Sequence, residues 1–289
     1  MKLSMVTMLS FLMILSGLMG LEPSRASGIS RQVRVTNTVE FLAAIAPHTR
    51  IFLDIEDDQP ITFTDDYPDT KNPYYRFEAT YDGKQLVIEN LEGLSIAGPE
   101  GRTATILSHH PFANVIWFNN CNDIDLQWLN CGHEVLGFCT GGVLAFEDCY
   151  NVKISNCDLW GCGTEGLYIN NCNGVICTDT TIRDCTYGIL SVHNSRDVQF
   201  ENCRMRDNQE LDLIKIEDSL QVGFNNCAIW NNVCRGNYGS KYLVRANNSQ
   251  VRFTGCAIFD NGVEALTNTE DACFEECVIF ANQAIREDD

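Results

Sequence analysis

Six segments of this chain restart the same pattern: VKISNCDL at Val152, VICTDTTI at Val175, VQFENCRM at Val198, VGFNNCAI at Val222, VRFTGCAI at Val251 and ACFEECVI at Ala272. Successive starts differ by 23, 23, 24, 29 and 21 residues, and IDLQWLNC at Ile124 joins the set upstream. A self-similar period of this length constrains the fold more than any other feature. A unit so short cannot bury its own apolar face and must stack on its neighbours. Within a unit the apolar residues alternate, as Val152 and Ile154 do around Lys153, which marks a strand with one buried face.

Two further strand sets follow the same period. One is VIWF at 115–118, VLAF at 143–146, GLYI at 166–169, ILSV at 189–192, LIKI at 213–216 and LVRA at 243–246. The other is shorter and points Leu159, Ile182, Met205, Ile229, Ile258 and Ile279 inward. Three short strands per turn of about 23 residues predict a coil of parallel β-structure with no room for helices.

The cysteines fall into columns of this repeat. Cys157, Cys203, Cys227, Cys256 and Cys277 share a slot with Leu129 and Thr180; Cys121, Cys149 and Cys172 share another with Ser195, Ser219 and Ser249. Cys162 and Cys185 begin a third that becomes Asn208, Asn232, Asn261 and Asn282. A column that exchanges Cys for Ser, Thr or Asn calls for a small side chain at a corner, where polar members can hydrogen-bond along the stack. Stacked coils are about 4.8 Å apart, so neighbouring thiols are near enough to bridge. Long columns of one phase nevertheless fit packing of free thiols better than pairing. No CxxC beside a matching His pair points to a metal.

On the NV-x-I-x-NC-x-L and GL-x-I-x-NC units, the chain resembles the right-handed parallel β-helix repeat family, whose fold the pectate lyases share. The resemblance covers roughly residues 84–283. It implies an all-β, single-stranded right-handed solenoid of about 8 to 10 coils with three short sheets. It does not select one activity, since that fold carries lyases, hydrolases, epimerases, adhesins and stalks.

Ahead of the coils, Asn37 and Glu40 have the spacing of a capping box. Val39, Leu42 and Ala43 make an apolar stripe, and Pro47 ends the helix. Such a helix would cap the first coil, whose unpaired edge would otherwise invite aggregation. The solenoid is expected to begin around Ile51–Leu53. The acidic, Pro-containing stretch from Asp54 to Tyr75 reads as a surface excursion. Solvated acid is its plain reading, and Ca2+ is the one cofactor candidate, though the spacing matches no loop of defined ligand geometry. The expected organisation is a signal peptide at 1–26, a cap with first coil and acidic excursion at 27–83, and the β-helix domain at 84–289.

The leader carries Lys2, an apolar run from Met5 to Leu21, and Ser24 and Ala26 spaced for cleavage, which predicts export. A retained anchor is the alternative reading. Export predicts a secreted, periplasmic or cell-surface protein. The formal charge of −19 excludes nucleic acid as a natural partner and disfavours an anionic membrane surface. A monomer engaging a polysaccharide or cell-surface glycan is expected.

Two long steps mark where chemistry would sit. The 28 residues from Ile124 to Val152 contain LNCGHEVLGFCTGG, and the 29 from Val222 to Val251 contain NVCRGNYGSK. Both insertions enter the same sheet from the same corner and flank about three coils. Alternation turns Trp117, Ala145, Tyr168, Ser191, Lys215 and Arg245 outward in one row, and Asn119, Glu147, Asn170, His193, Glu217 and Asn247 in the next. Glu165, Tyr187, Glu210 and Asp212 arrive from the entering corner, and His133 and Glu134 lean in from the first insertion.

Glu165, Asp212, His133, Lys215 and His193 are the catalytic candidates; Trp117, Tyr168, Tyr187, Arg245, Glu134 and Glu210 are the substrate-binding ones. Aromatic rings can stack on sugars, and the cations can hold a carboxylate. Each also has a plain structural reading: His193 as a solvated outer residue, His133 as an organiser of its own loop, Glu165 as an acceptor for turn amides, and the cations in surface ion pairs. A further row, Trp230, Phe259 and Phe280, projects from the third sheet as a glycan or partner surface.

Two functions remain open. An enzyme would be a polysaccharide lyase, needing a base such as Lys215, Arg245 or His193, or a glycosidase using Glu165 and Asp212 as its two carboxylates. The Asp-pair and RIK-style signatures of polygalacturonases are absent, and no lyase signature is present. The alternative is a non-catalytic binding, adhesion or structural module with recognition loops at 131–140 and 233–240.

Overall fold

A computed structural model describes residues 28–67, 71–135, 140–161 and 163–283. The expected signal segment, Cys139, Cys162 and most of the terminal QAIREDD lie outside the described residues. Among those residues no helix is long and apolar enough to cross a membrane.

Each turn of the coil visits three sheets, here called A, B and C in the order the chain meets them. Among the described residues, sheet A has ten strands, from Arg31–Val35 to Ala272–Glu275. Sheet B has nine, from Ile61–Phe63 to Val278–Phe280, and sheet C nine, from Tyr75–Ala79 to Ala265–Thr267. The repeat alignment is the sheet register: Val152 pairs with Val175, Val175 with Val198, Val198 with Val222, Val222 with Val251 and Val251 with Ala272. Like residues therefore stack on like residues. Inside, Phe200, Phe224, Phe253 and Phe274 form one continuous stack with centroids 4.7, 4.5 and 4.8 Å apart, an arrangement that adds about 0.5–1.5 kcal/mol per pair to simple burial.

The recurrent Asn-Cys dipeptide is explained at the corners. Asn156, Asn171, Asn202 and Asn226 all have φ between 52° and 54°, a left-handed conformation that Asn, Asp and Gly adopt most readily. This residue turns the chain, and the next one, small, points inward. Ser195 Oγ accepts from the Cys172 amide, Ser219 Oγ from the Ser195 amide and Ser249 Oγ from the Ser219 amide, each at 3.0 Å. Asn208, Asn232, Asn261 and Asn282 are linked amide to amide in the same way, with Nδ2 to Oδ1 distances of 2.9, 2.9 and 2.8 Å. The cysteines of these columns donate weakly to carbonyls, as Cys149 does to Glu147 O at 3.1 Å. Every cysteine among the described residues is a free thiol.

The N-terminal end departs from the expectations in detail. The solenoid starts a turn early, because Arg31–Val35 already pairs in parallel with Thr49–Leu53. The helix α1 (Thr38–Ala44) lies between those strands, and the Glu40 amide donates to Asn37 Oδ1 at 3.0 Å. The Glu40 carboxylate reaches back to the Thr36 amide at 2.8 Å instead of to Asn37. The face of α1 that packs is Thr38, Phe41, Leu42 and Ala44; Val39 and Ala43 point to solvent. The short helix is rotated so that Phe41 can meet Phe63, 5.9 Å away. The stretch expected as a surface excursion is not all surface: Ile61–Phe63 pairs with sheet B strand Ala104–Ser108, and Ile55, Ile61 and Phe63 are buried in the core. The strand that follows, Tyr75–Ala79, folds back antiparallel on Lys84–Glu89 and so occupies the open edge of sheet C.

At the other end, Ile279 stacks under buried Ile258 yet is 38% exposed, as no described residue covers the last coil. Trp230, Phe259 and Phe280 are stacked 6.0 and 5.2 Å apart and within 7° of parallel. Phe259 is sandwiched between the other two rings, and Phe280, at the last coil, is 52% exposed.

Candidate functional site

Both long insertions join sheet B to sheet C, so everything they flank lies on the outer face of sheet C. Its strands Leu144–Glu147, Leu167–Asn170, Leu190–His193, Ile214–Glu217 and Tyr242–Asn247 are in register, and the two outward rows run as alternation predicts. Two residues before each strand the chain arrives from sheet B. That slot holds Gly142, Glu165, Gly188 and Asp212 in successive coils, which puts the two carboxylates two coils, or about 10 Å, apart along the stack.

The two acids differ sharply. Asp212 is 1% exposed and accepts from the Lys241 amide at 2.7 Å, the Tyr242 amide at 2.9 Å and Arg245 Nη1 at 2.8 Å. Its carboxylate clamps the end of the second insertion to the sheet and is buried away from solvent. Glu165 instead receives a hydrogen bond from Ser191 Oγ at 2.8 Å, with Thr164 Oγ1 at 3.4 Å. Burial pushes its carboxyl above the ordinary range, against the opposing effects of the Ser191 hydroxyl and the charges of Lys215 and His193. A carboxyl so placed keeps its proton to higher pH and can act as an acid.

Around Glu165 the sheet supplies the other groups. Lys215 follows Ser191 in register, and among the described residues no carboxylate lies within ion-pair distance of it. His193 Nδ1 lies 3.3 Å from Glu217 Oε2, and the His193 ring sits 5.7 Å from that of Tyr168. Burial, then the charges of Glu147 and Glu165, raise the Tyr168 phenol. Glu147 is flanked by Asn170 Nδ2 at 3.3 Å and Asn119 Nδ2 at 3.5 Å, which makes the second row a polar ladder. Trp117 is half-buried two coils before Tyr168, and Tyr187, half-buried, precedes Gly188 and donates its amide to Thr164 O at 3.1 Å.

Three sequence candidates lie elsewhere in role. His133 does not lean over the sheet: it is fully buried at the end of the sheet B strand Leu129–His133, with Nε2 2.8 Å from Ala113 O. Burial lowers its pKa, with the Ala113 bond opposing. The signal was present, since Leu129, Cys131 and His133 share one inward phase. Glu134 pairs with His109 Nδ1 at 2.7 Å on the rim, and Glu210, 8% exposed, pairs with Arg235 Nε at 2.9 Å where Gln209–Glu210 meets Val233–Cys234. Arg245 is tied to Asp212, and Glu217 to His193, in place of the cross-strand pairs of Lys215 and Arg245 with Glu217. Sequence reasoning set Ser191 in the outward row but gave it no role. Its contact with Glu165 spans a corner and a coil, which no strand pattern encodes. Among the described residues, no three His, Cys, Asp or Glu side chains converge as a metal-binding group.

A family model described as the right-handed β-helix region matches residues 116–222 and 141–286. No curated protein matches the sequence. Among solved structures, pectate lyase Pel9A superposes with a TM-score of 0.58 at 12% identity, covering 90% of this chain and 80% of that one. An alginate lyase from Paenibacillus sp. str. FPU-7 gives 0.42 at 9% identity, over 89% and 98%. The A-module of the Azotobacter vinelandii mannuronan C-5 epimerase AlgE6 gives 0.40 at 12% identity, over 89% and 81%.

Proposed function

The chain belongs to the right-handed β-helix family, and from that premise we propose that the outer face of sheet C binds a uronate-containing polysaccharide and cleaves it by β-elimination. One observation carries this reading: a carboxyl whose pKa burial raises, a lysine with no carboxylate within ion-pair distance among the described residues and a histidine beside a glutamate occupy three consecutive coils, at Glu165, Lys215 and His193. The expected export at 1–26 suits a substrate met outside the cell.

Each residue takes a role that its surroundings support. Lys215 holds the uronate carboxylate and steadies the charge that develops on it. His193, whose Nδ1 lies 3.3 Å from Glu217 Oε2, is the base that removes the proton alpha to that carboxylate. The freed electron pair forms the carbon–carbon double bond as the bond to the leaving sugar oxygen breaks, and Glu165 gives that oxygen its proton. Tyr168 and Trp117 line the path of the chain. The formal charge of −19 repels a polyanion at long range, so capture relies on close contacts.

The test is incubation with polygalacturonate, alginate and neutral polysaccharides while following the ultraviolet absorbance of new unsaturated ends, in the wild type and in Glu165→Gln. Unsaturated ends that vanish in the variant support elimination. Reducing ends without unsaturation would make the protein a glycosidase and overturn the assignment. The second reading is non-catalytic glycan binding. It is favoured by the Asn119, Glu147 and Asn170 ladder and by the engagement of Asp212, which removes the partner acid of a hydrolytic pair. Binding of the same polysaccharides without any new chain ends would establish it.

A further inference from the structure

A second face of the solenoid carries a cavity of about 470 Å³, on the outside of sheet A near the C-terminal end, lined by Gln199, Gln221, Gly223, Asn225, Gln250 and Arg252 among others. One residue shapes its floor. In the outward run Lys153, Ile176, Gln199, Gly223 and Arg252, the glycine alone lacks a side chain. The carboxamide of Gln199 lies over the buried glycine in its place: its Nε2 donates to Gln221 O at 2.8 Å, and a Cβ on Gly223 would come within 2.2 Å of its Oε1. The slot along the strand Leu220–Asn225 is thus floored by an amide that the glycine accommodates.

Along this corner Asp123, Asn151, Gly174 and Asp197 take the left-handed conformation, at φ 54°, 53°, 75° and 54°. Gln221 follows at φ 58°, as His48 does at 52° in the first coil, and Gln250 lies next to Gln221 at the following turn. Both glutamines are exposed at the slot.

We propose that this slot is a second carbohydrate subsite, separate from sheet C, that takes a neutral oligosaccharide. Primary amides donate and accept at once, as sugar hydroxyls do, so a groove of Gln199, Gln221, Gln250 and Asn225 matches a polyhydroxyl chain. The guanidinium of Arg252 is answered by Glu275 at 2.6 Å, which leaves no uncompensated cation to select an acidic ligand. An extended peptide is disfavoured because the floor strand is internal. Its two neighbours already pair with it, so no backbone edge is free for strand addition.

The subsite is tested by titrating the protein with gluco-, manno- and galacto-configured neutral tetrasaccharides, with an oligogalacturonate and an unrelated extended peptide as comparators. At least one neutral sugar should bind, with at least tenfold weaker affinity in Gly223→Val, whose side chain displaces the Gln199 amide from the floor, and in Gln221→Gly, which suits the backbone but deletes the amide. Glu165→Gln should bind as the wild type does, so this inference stands or falls apart from the sheet C reading. If Gly223→Val fails to fold, the exposed thiol of Cys273 beside the slot provides the alternative. A bulky maleimide there should abolish binding, with labelled Cys273→Ser as the control for other thiols. No binding of any neutral sugar, preference for the uronate or the peptide, indifference to the slot variants or to the blocked thiol, or loss in Glu165→Gln overturns the proposal.

Discussion

Glu165 and Asp212 enter sheet C from the same corner, in the same slot of the repeat, with only Gly188 between them, and they do opposite things. Asp212 is held by two amides and a guanidinium, and its carboxylate is a fastener. Glu165 has a hydroxyl and a buried setting that raises its pKa. Position in a repeat thus fixes where a side chain goes but not what it does; the donors around it decide that. The difference traces to the second insertion, which brings its own backbone amides at Lys241 and Tyr242 to Asp212.

Substitutions can break this contrast. The largest effect is expected for Asp212→Ala, which strands two amides and the Arg245 charge. Loss of about 3 kcal/mol in chemical denaturation, with new proteolytic cutting between 234 and 242, would mark it as a fastener. A stable variant with only activity lost would erase the distinction. Next comes Glu165→Gln, which should lower turnover about 100-fold or more while leaving the fold intact. The two proteins should also differ in how stability responds to pH. Because the folded protein holds this proton more tightly than the unfolded chain, the wild type loses that contribution as pH rises above the ordinary carboxyl range, and the glutamine variant does not. Melting curves from about pH 4 to about pH 8 would reveal the divergence.

Lys215→Ala is smaller. About a tenfold rise in KM, or about 1.4 kcal/mol, for an acidic glycan and none for a neutral one would identify it as the carboxylate clamp. Smallest is the acid response of His133, a third titratable group near this corner. Its folded-state pKa is lowered, so its stabilising effect is complete above 6.5 and is lost as pH falls below that value. His133→Gln should flatten this acid-side decline in melting temperature without altering turnover.

Much of this was legible in the sequence because a stacked coil converts period into position. The columns, both outward rows and the insertion-flanked strip follow from spacing alone. What stayed hidden depended on contacts between turns. The burial of His133 was readable from the phase of Leu129 and Cys131, but its place in a named insertion drew attention away. The fate of Asp212 was not readable, since its partners arrive from 29 to 33 residues later through an irregular loop. The helix face was misjudged because seven residues give too little periodicity to outweigh one aromatic contact.

The asparagine spine from Asn208 to Asn282 has a consequence for how such a molecule changes size. Every rung answers only to the rungs immediately above and below it, so the unit of growth or loss is one whole revolution. Excising the 23 residues from Val175 to Asp197 would join Gly174 to Val198 and offer each broken contact a chemically matching replacement. It would also bring Glu165 and Asp212 onto adjacent revolutions. The molecule is in effect a ruler, and the distance between its acids is adjustable only in whole graduations.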